Sequence, residues 1–172
     1  MKYLLTMVVS LSLLATAAHA LTPGEVVVGE VLRDARMYAI GGQMKQLSAF
    51  RGKPLIINVW ASWCGPCRAE MGSLDRLSKL DRKQQFQVIG ISTDDDAFAA
   101  SEFVLKSRLG FENFVDNNLL LENMLGAASI PLTLLIDANG RVLKKIYGTQ
   151  DWTSAAALDM VEKTLRIRIE RQ

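Results

Sequence analysis

Apolar runs separated by amphipathic stretches organise this chain. Leu55 to Trp60, LIINVW, is rich in β-branched residues and leads at once into a helical pattern, which reads as a buried central strand of an α/β sheet. Beyond Cys67, Met71, Leu74 and Leu77 recur at threes and predict a helix to about Leu80, with Gly72 inside it. Gln87 to Ser92 is a second buried strand. A helix from about Ala97 to Leu109 follows, with Phe98, Phe103 (or Val104) and Leu105 inward and Gly110 as its stop. Phe111 to Asn118 holds a short strand or turn, and Leu119 to Leu125 a short helix closed by Gly126. Leu132 to Ile136 is a further strand, paired through the Asn139-Gly140 turn with Arg141 to Tyr147. Thr153 or Ser154 caps a last helix whose inward positions are Ala157, Leu158, Val161 and Leu165. Ahead of the central strand, Val26 to Val28 and Met37 to Ile40 are strand candidates, with Gly41-Gly42 turning the chain before Met44 to Phe50.

The first twenty residues follow a different pattern. Lys2, a mostly apolar run from Tyr3 to Ala18, and Ala18-His19-Ala20 make a secretory signal peptide, too short for an ordinary membrane span. The expected division is a signal peptide over 1–20 and a single domain over 21–172, exported to the periplasm. An uncut segment would tether the domain there instead. Cleavage leaves 152 residues with 19 basic and 18 acidic side chains, enough chain for a real core. No basic run marks the chain, so nucleic acid and anionic membrane surfaces are poor partners.

Composition then narrows the chemistry. His19, the only histidine, leaves with the signal, so no cysteine–histidine nucleophile pair can form. Two cysteines are too few for the common structural zinc sites. Asp94-Asp95-Asp96 stands just before a helix, where capping is favoured over metal binding. No metal and no cofactor are expected.

Cys64-Gly65-Pro66-Cys67 falls where the central strand hands over to a helix. Unpaired N–H groups and the helix dipole stabilise a thiolate on Cys64, and Pro66 suits the first turn. Two cysteines three apart can close a small disulfide, and its opening and closing is the expected chemistry. Cys64, nearer the helix start, is the expected nucleophile and Cys67 the resolving thiol; an inert structural disulfide is the bland alternative. Trp63 adjoins Cys64 as an apolar contact surface, whereas Trp60 belongs to core packing.

Trp60, Ala61 and Trp63-Cys64-Gly65-Pro66-Cys67 after an apolar strand resemble the active site of the thioredoxin superfamily, and the finer pattern resembles its TlpA/ResA-like branch of exported thiol–disulfide oxidoreductases. The resemblance implies a thioredoxin-like α/β fold, with a central mixed sheet flanked by helices and an N-terminal β-hairpin extension. It implies that Ile130–Pro131 is a cis-proline loop lying against the active-site cysteines and offering Ile130 to an extended peptide. On sequence alone an ordinary trans proline at a strand start is the favoured reading, and the resemblance reverses it. It implies that Glu70, three residues past Cys67, tunes the thiols; a solvated helix glutamate paired with an arginine is the alternative. Asn58 stands where cytosolic thioredoxins carry a buried aspartate, so acid–base help falls to Glu70.

The leading function is therefore reduction of disulfides in cysteine-containing client proteins, with cytochrome c maturation as one such service in the family. An oxidising compartment then requires a membrane electron-transfer protein to re-reduce the dithiol, and the chain itself is expected to act as a monomer. An oxidant or isomerase would use the same residues. A peroxiredoxin-like peroxidase would place threonine where Ala61 stands, and a redox-inert binding domain would not need the cysteines.

Overall fold

The computed structural model describes residues 23–170; the expected signal peptide lies outside them. Seven strands form one mixed sheet. In chain order they are β1 (Arg36–Ala39), β2 (Met44–Gln46), β3 (Leu55–Trp60), β4 (Gln87–Ser92), β5 (Glu112–Val115), β6 (Leu132–Ile136) and β7 (Val142–Tyr147). The helices are α1 (Gly65–Leu80), α2 (Ala97–Ser107), α3 (Leu120–Leu125) and α4 (Ala155–Leu165), with a 3₁₀ turn at Leu47–Phe50. Across the sheet the order is β2-β1-β5-β4-β3-β6-β7. β3, β4 and β5 run parallel, while β6 and β7 on one side and β1 and β2 on the other are antiparallel. This is the expected mixed sheet flanked by helices, with the N-terminal hairpin added at its edge.

All six residues of β3 are buried, as befits the middle of a sheet covered on both faces. The period of two splits them. Leu55, Ile57 and Val59 join Phe50, Phe114 and the α3 residues Leu121 and Leu125 on one face. Ile56 and Trp60 join Met71, Leu74 and Leu77 of α1, Ala100 of α2, and Leu158, Val161 and Leu165 of α4 on the other. Asn58 therefore points to the α1 face, where it meets the buried polar side chains of Glu70 and Thr133.

Three expectations change. Val26 to Val28 is not a strand: Val26 is buried, but its N–H bonds the Met124 carbonyl, so the segment is a strap over α3 rather than a ladder member. The hairpin is β1–β2, turned by Gly41 and Gly42, both at positive φ where glycine costs nothing. In α2, Phe98 and Leu105 are exposed; the strip against the sheet is Ala100 with half-buried Phe103 and Val104. This helix ends at Arg108 in the left-handed conformation, two residues before Gly110, whose N–H is taken by Asp75. Of the aspartates, Asp96 caps α2 by accepting from Phe98 N–H at 2.9 Å. Ser154, of the two cap candidates, caps α4.

Candidate active site

The chain leaves β3 at Trp60, turns through Ala61 to Cys64, and enters α1 at Gly65. Cys64 is the N-cap residue of α1: its backbone is extended and its sulfur accepts the Cys67 N–H at 3.2 Å. Pro66 occupies the first turn, where its missing N–H is not needed. Cys64 and Cys67 are joined as a disulfide, with Cα atoms 5.3 Å apart. Cys64 is 6% exposed and Cys67 not at all, so any partner reaches the Cys64 sulfur first.

The second wall is the loop before β6. The Ile130–Pro131 bond is cis, and Cys64 Sγ lies 3.9 Å from the Ile130 carbonyl oxygen. Ile130 is half-buried between the two core layers. The Pro131 carbonyl accepts Gly148 N–H at 2.9 Å, which ties this loop to the segment after β7. Trp63, beside Cys64, is 70% exposed and presents a large apolar surface at the rim.

Glu70 is 1% exposed and reaches inward, not to solvent. Its Oε1 accepts from Asn58 Nδ2 at 2.8 Å; its Oε2 accepts from Gln150 N–H at 2.9 Å and from the Trp152 indole at 3.3 Å. Burial pushes its carboxyl above the ordinary value of 4.5, and the three hydrogen bonds, led by Gln150, only partly offset this. The solvated, arginine-paired alternative does not describe this residue. Asn58 also donates to Thr133 Oγ1 at 2.9 Å, so one amide links α1, β3 and β6 through fixed donors.

Sequence reasoning missed Gln150 and Trp152, which hold Glu70 from the loop before α4, and Thr133 of β6, which holds Asn58. Trp152 is wholly buried and its N–H bonds Ser73 of α1 at 3.1 Å. A tryptophan in a polar stretch between a strand and a helix was the available signal. Also missed was Ser62, whose backbone and hydroxyl both bond Asp94.

The arrangement has what thiol–disulfide exchange requires: a cysteine pair at a helix N-terminus, one sulfur outermost and the Ile130–Pro131 backbone beside it, with a buried carboxylate one turn behind. The pattern of the Redoxin family matches residues 28–163. The chain is 31% identical over 124 residues to the thiol-disulfide oxidoreductase ResA of Geobacillus thermodenitrificans, spanning 72% of this chain and 71% of that one. It is 32% identical over 148 residues to the thiol:disulfide interchange protein DsbE of Vibrio cholerae, spanning 81% and 77%. A candidate DsbE-type interchange protein of Chlorobium tepidum superposes with a TM-score of 0.75 at 24% identity, spanning 81% of this chain and 99% of that one, a likeness of fold. The chain belongs to the Redoxin family, as a ResA-like member of the thioredoxin superfamily.

Proposed function

We propose that this protein is an exported thiol–disulfide oxidoreductase that reduces disulfides in cysteine-containing client proteins through Cys64 and Cys67. One observation carries the reading: the disulfide caps α1 with its Cys64 sulfur outermost, against the Ile130–Pro131 loop. The matches to thiol–disulfide oxidoreductases along most of the chain support it.

In the reduced protein the Cys64 thiolate, stabilised by the free N–H groups and dipole of α1, attacks one sulfur of a client disulfide. A Cys64–client disulfide forms and the second client sulfur leaves as a thiolate that takes up a proton. Cys67 then gives up its proton, attacks Cys64 Sγ and expels the first client sulfur. Two electrons pass to the client and the protein is left as the disulfide. Glu70 is the proton acceptor for Cys67: its raised pKa suits a buried base, and its charge disfavours a lingering Cys67 anion. Trp63 and the Ile130 backbone hold the client as an extended peptide, the mode in which main-chain groups supply affinity. A cleaved signal over residues 1–20 puts the protein in the periplasm, where a membrane electron-transfer protein re-reduces it. Apocytochrome c thiols are a fitting client, as the family resemblance implies.

Insulin-disulfide reduction, with Cys64→Ser as control, tests the activity; turnover unaffected by the substitution would sink it. Direction is read from the reduction potential against glutathione buffers. A value near −270 mV supports a reductase and one near −120 mV an oxidant. A peroxidase reading is weakened by Ala61, a buried methyl where that chemistry wants a hydroxyl.

A further inference from the structure

Asp94 stands two residues past the end of β4 and is 2% exposed. Its carboxylate accepts from Ser62 N–H at 2.9 Å, from the Ser62 hydroxyl at 2.6 Å and from the Ser92 hydroxyl at 2.6 Å. Every one of these donors is neutral. No lysine or arginine forms an ion pair with it among the described residues. Burying a carboxylate without a countercharge is costly, and a neutral acceptor would tie the same corner with less penalty.

The position of the charge gives it a use. Ser62 and Cys64 are two residues apart, so their Cα atoms lie within about 7 Å. Asp94 thus holds, through both the backbone and the side chain of Ser62, the corner two residues ahead of the sulfur that ionises during exchange. The other charges of this region are Arg68 on α1, whose guanidinium lies over the Phe103 ring, the buried Glu70, and the exposed Asp95 and Asp96.

We infer that Asp94 is a positioning residue that also sets the poise of the dithiol: it pins the Ser62–Cys64 corner, and its charge opposes the Cys64 thiolate that the α1 dipole favours. A less stable thiolate means a less stable reduced form, which keeps the couple strongly reducing. The inference rests on the reading of Cys64 as the ionising, attacking cysteine.

The test is the Cys64 pKa in the reduced protein, followed by thiolate absorbance, beside the reduction potential. Asp94→Asn removes the charge and keeps the shape; it is expected to lower the Cys64 pKa by about one unit, the order of effect of one unit charge on a neighbouring group in a partly buried site. That is a tenfold gain in thiolate below the pKa, and at most about 30 mV towards the oxidising side for the two-electron couple. Asp94→Glu, which restores the charge, and Ser62→Ala, which removes a donor but leaves the charge, are expected to stay near the parent. An unchanged pKa in Asp94→Asn overturns the inference, and so does an equal fall in Ser62→Ala, which would assign the effect to corner geometry. Should Asp94→Asn fail to fold, the parent protein answers through the ¹³C carboxyl signal of Asp94. Its movement in step with Cys64 ionisation, absent from the disulfide form, supports the coupling; indifference to Cys64 overturns it. A protein with the pKa shift but no insulin reduction would sink the functional reading and leave the electrostatic one standing.

Discussion

Glu70 is a carboxylate whose surroundings pull in opposite directions: burial raises its pKa, while Gln150, Asn58 and Trp152 donate to it and stabilise the anion. Burial wins. A carboxyl group with a folded-state pKa above its unfolded value penalises the fold at neutral pH. That penalty fades as pH falls from the raised value towards 4.5 and is gone below it. The urea midpoint of the parent, relative to Glu70→Gln, is therefore expected to improve as pH drops through that window. A constant difference would contradict the burial argument. If Glu70 also takes the Cys67 proton, resolution of the mixed disulfide slows by about 10²-fold in Glu70→Gln, the lower range for a lost general base; stopped-flow thiol release reads this. Cys67→Ser makes a sharper demand. Attack by Cys64 remains possible and release does not, so a client–Cys64 adduct should accumulate and be visible on non-reducing gels. Equal turnover in Cys67→Ser would show that another thiol resolves the adduct.

Strand β4 shows how an element's sequence is set by its neighbour. Gly90 stands opposite Asn58 on one side and Asn113 on the other, where Trp60 Nε1 donates to Asn113 Oδ1 at 3.1 Å. A Cβ at Gly90 would lie 2.0 Å from Asn113 Oδ1 and 2.8 Å from Trp60 Nε1. Gly90→Ala is therefore expected to destabilise by about 1–3 kcal/mol, the cost of overpacking, with the loss measured by urea unfolding. An unchanged midpoint would mean that Asn113 moves aside freely. Strands β3, β4 and β6 were legible in the sequence as near-continuous apolar runs, because both of their faces are covered. Helix α1 was legible from its stripe, and its cap from Cys64-Gly65-Pro66. Helix α2 was not: Ala100 makes the close contact, while the bulky Phe98 and Leu105 lie about half a turn away in solvent. Side-chain size misplaced its phase. The partners of Glu70 were illegible for a different reason. Two of its three donors come from residues 80 and 82 positions away, and only the fold brings the 149–152 loop beneath α1.

Among the described residues the fold is closed by the segment 25–32, which crosses from α3 to the β7 edge. Val26 N–H bonds Met124, Gly29 N–H bonds Val142, and Leu32 N–H bonds Gly140. Where this strap begins, Glu25 Oε1 meets Lys145 Nζ at 2.8 Å, with the two side chains only 7% and 9% exposed. The carboxylate packs on Gly126, where a Cβ would lie 2.5 Å from it, and raises the pKa of Tyr147, second to the effect of burial. This pair joins positions 120 residues apart in the chain, beside the loop that leads to Pro131. Removing Lys145 takes from Glu25 its ion-pair partner in a place largely closed to water, and losses of this kind reach about 3–5 kcal/mol. Lys145→Met is expected to lower stability by up to that much, read by urea unfolding. Removing both charges is a different experiment, because a buried ion pair and an apolar replacement of similar volume are often equal in stability. Lys145→Met combined with Glu25→Gln should thus recover most of the loss, giving a strongly non-additive cycle. If the double variant loses as much as the two singles summed, the pair is not what fastens the strap; the backbone bonds to Met124, Val142 and Gly140 then hold it alone.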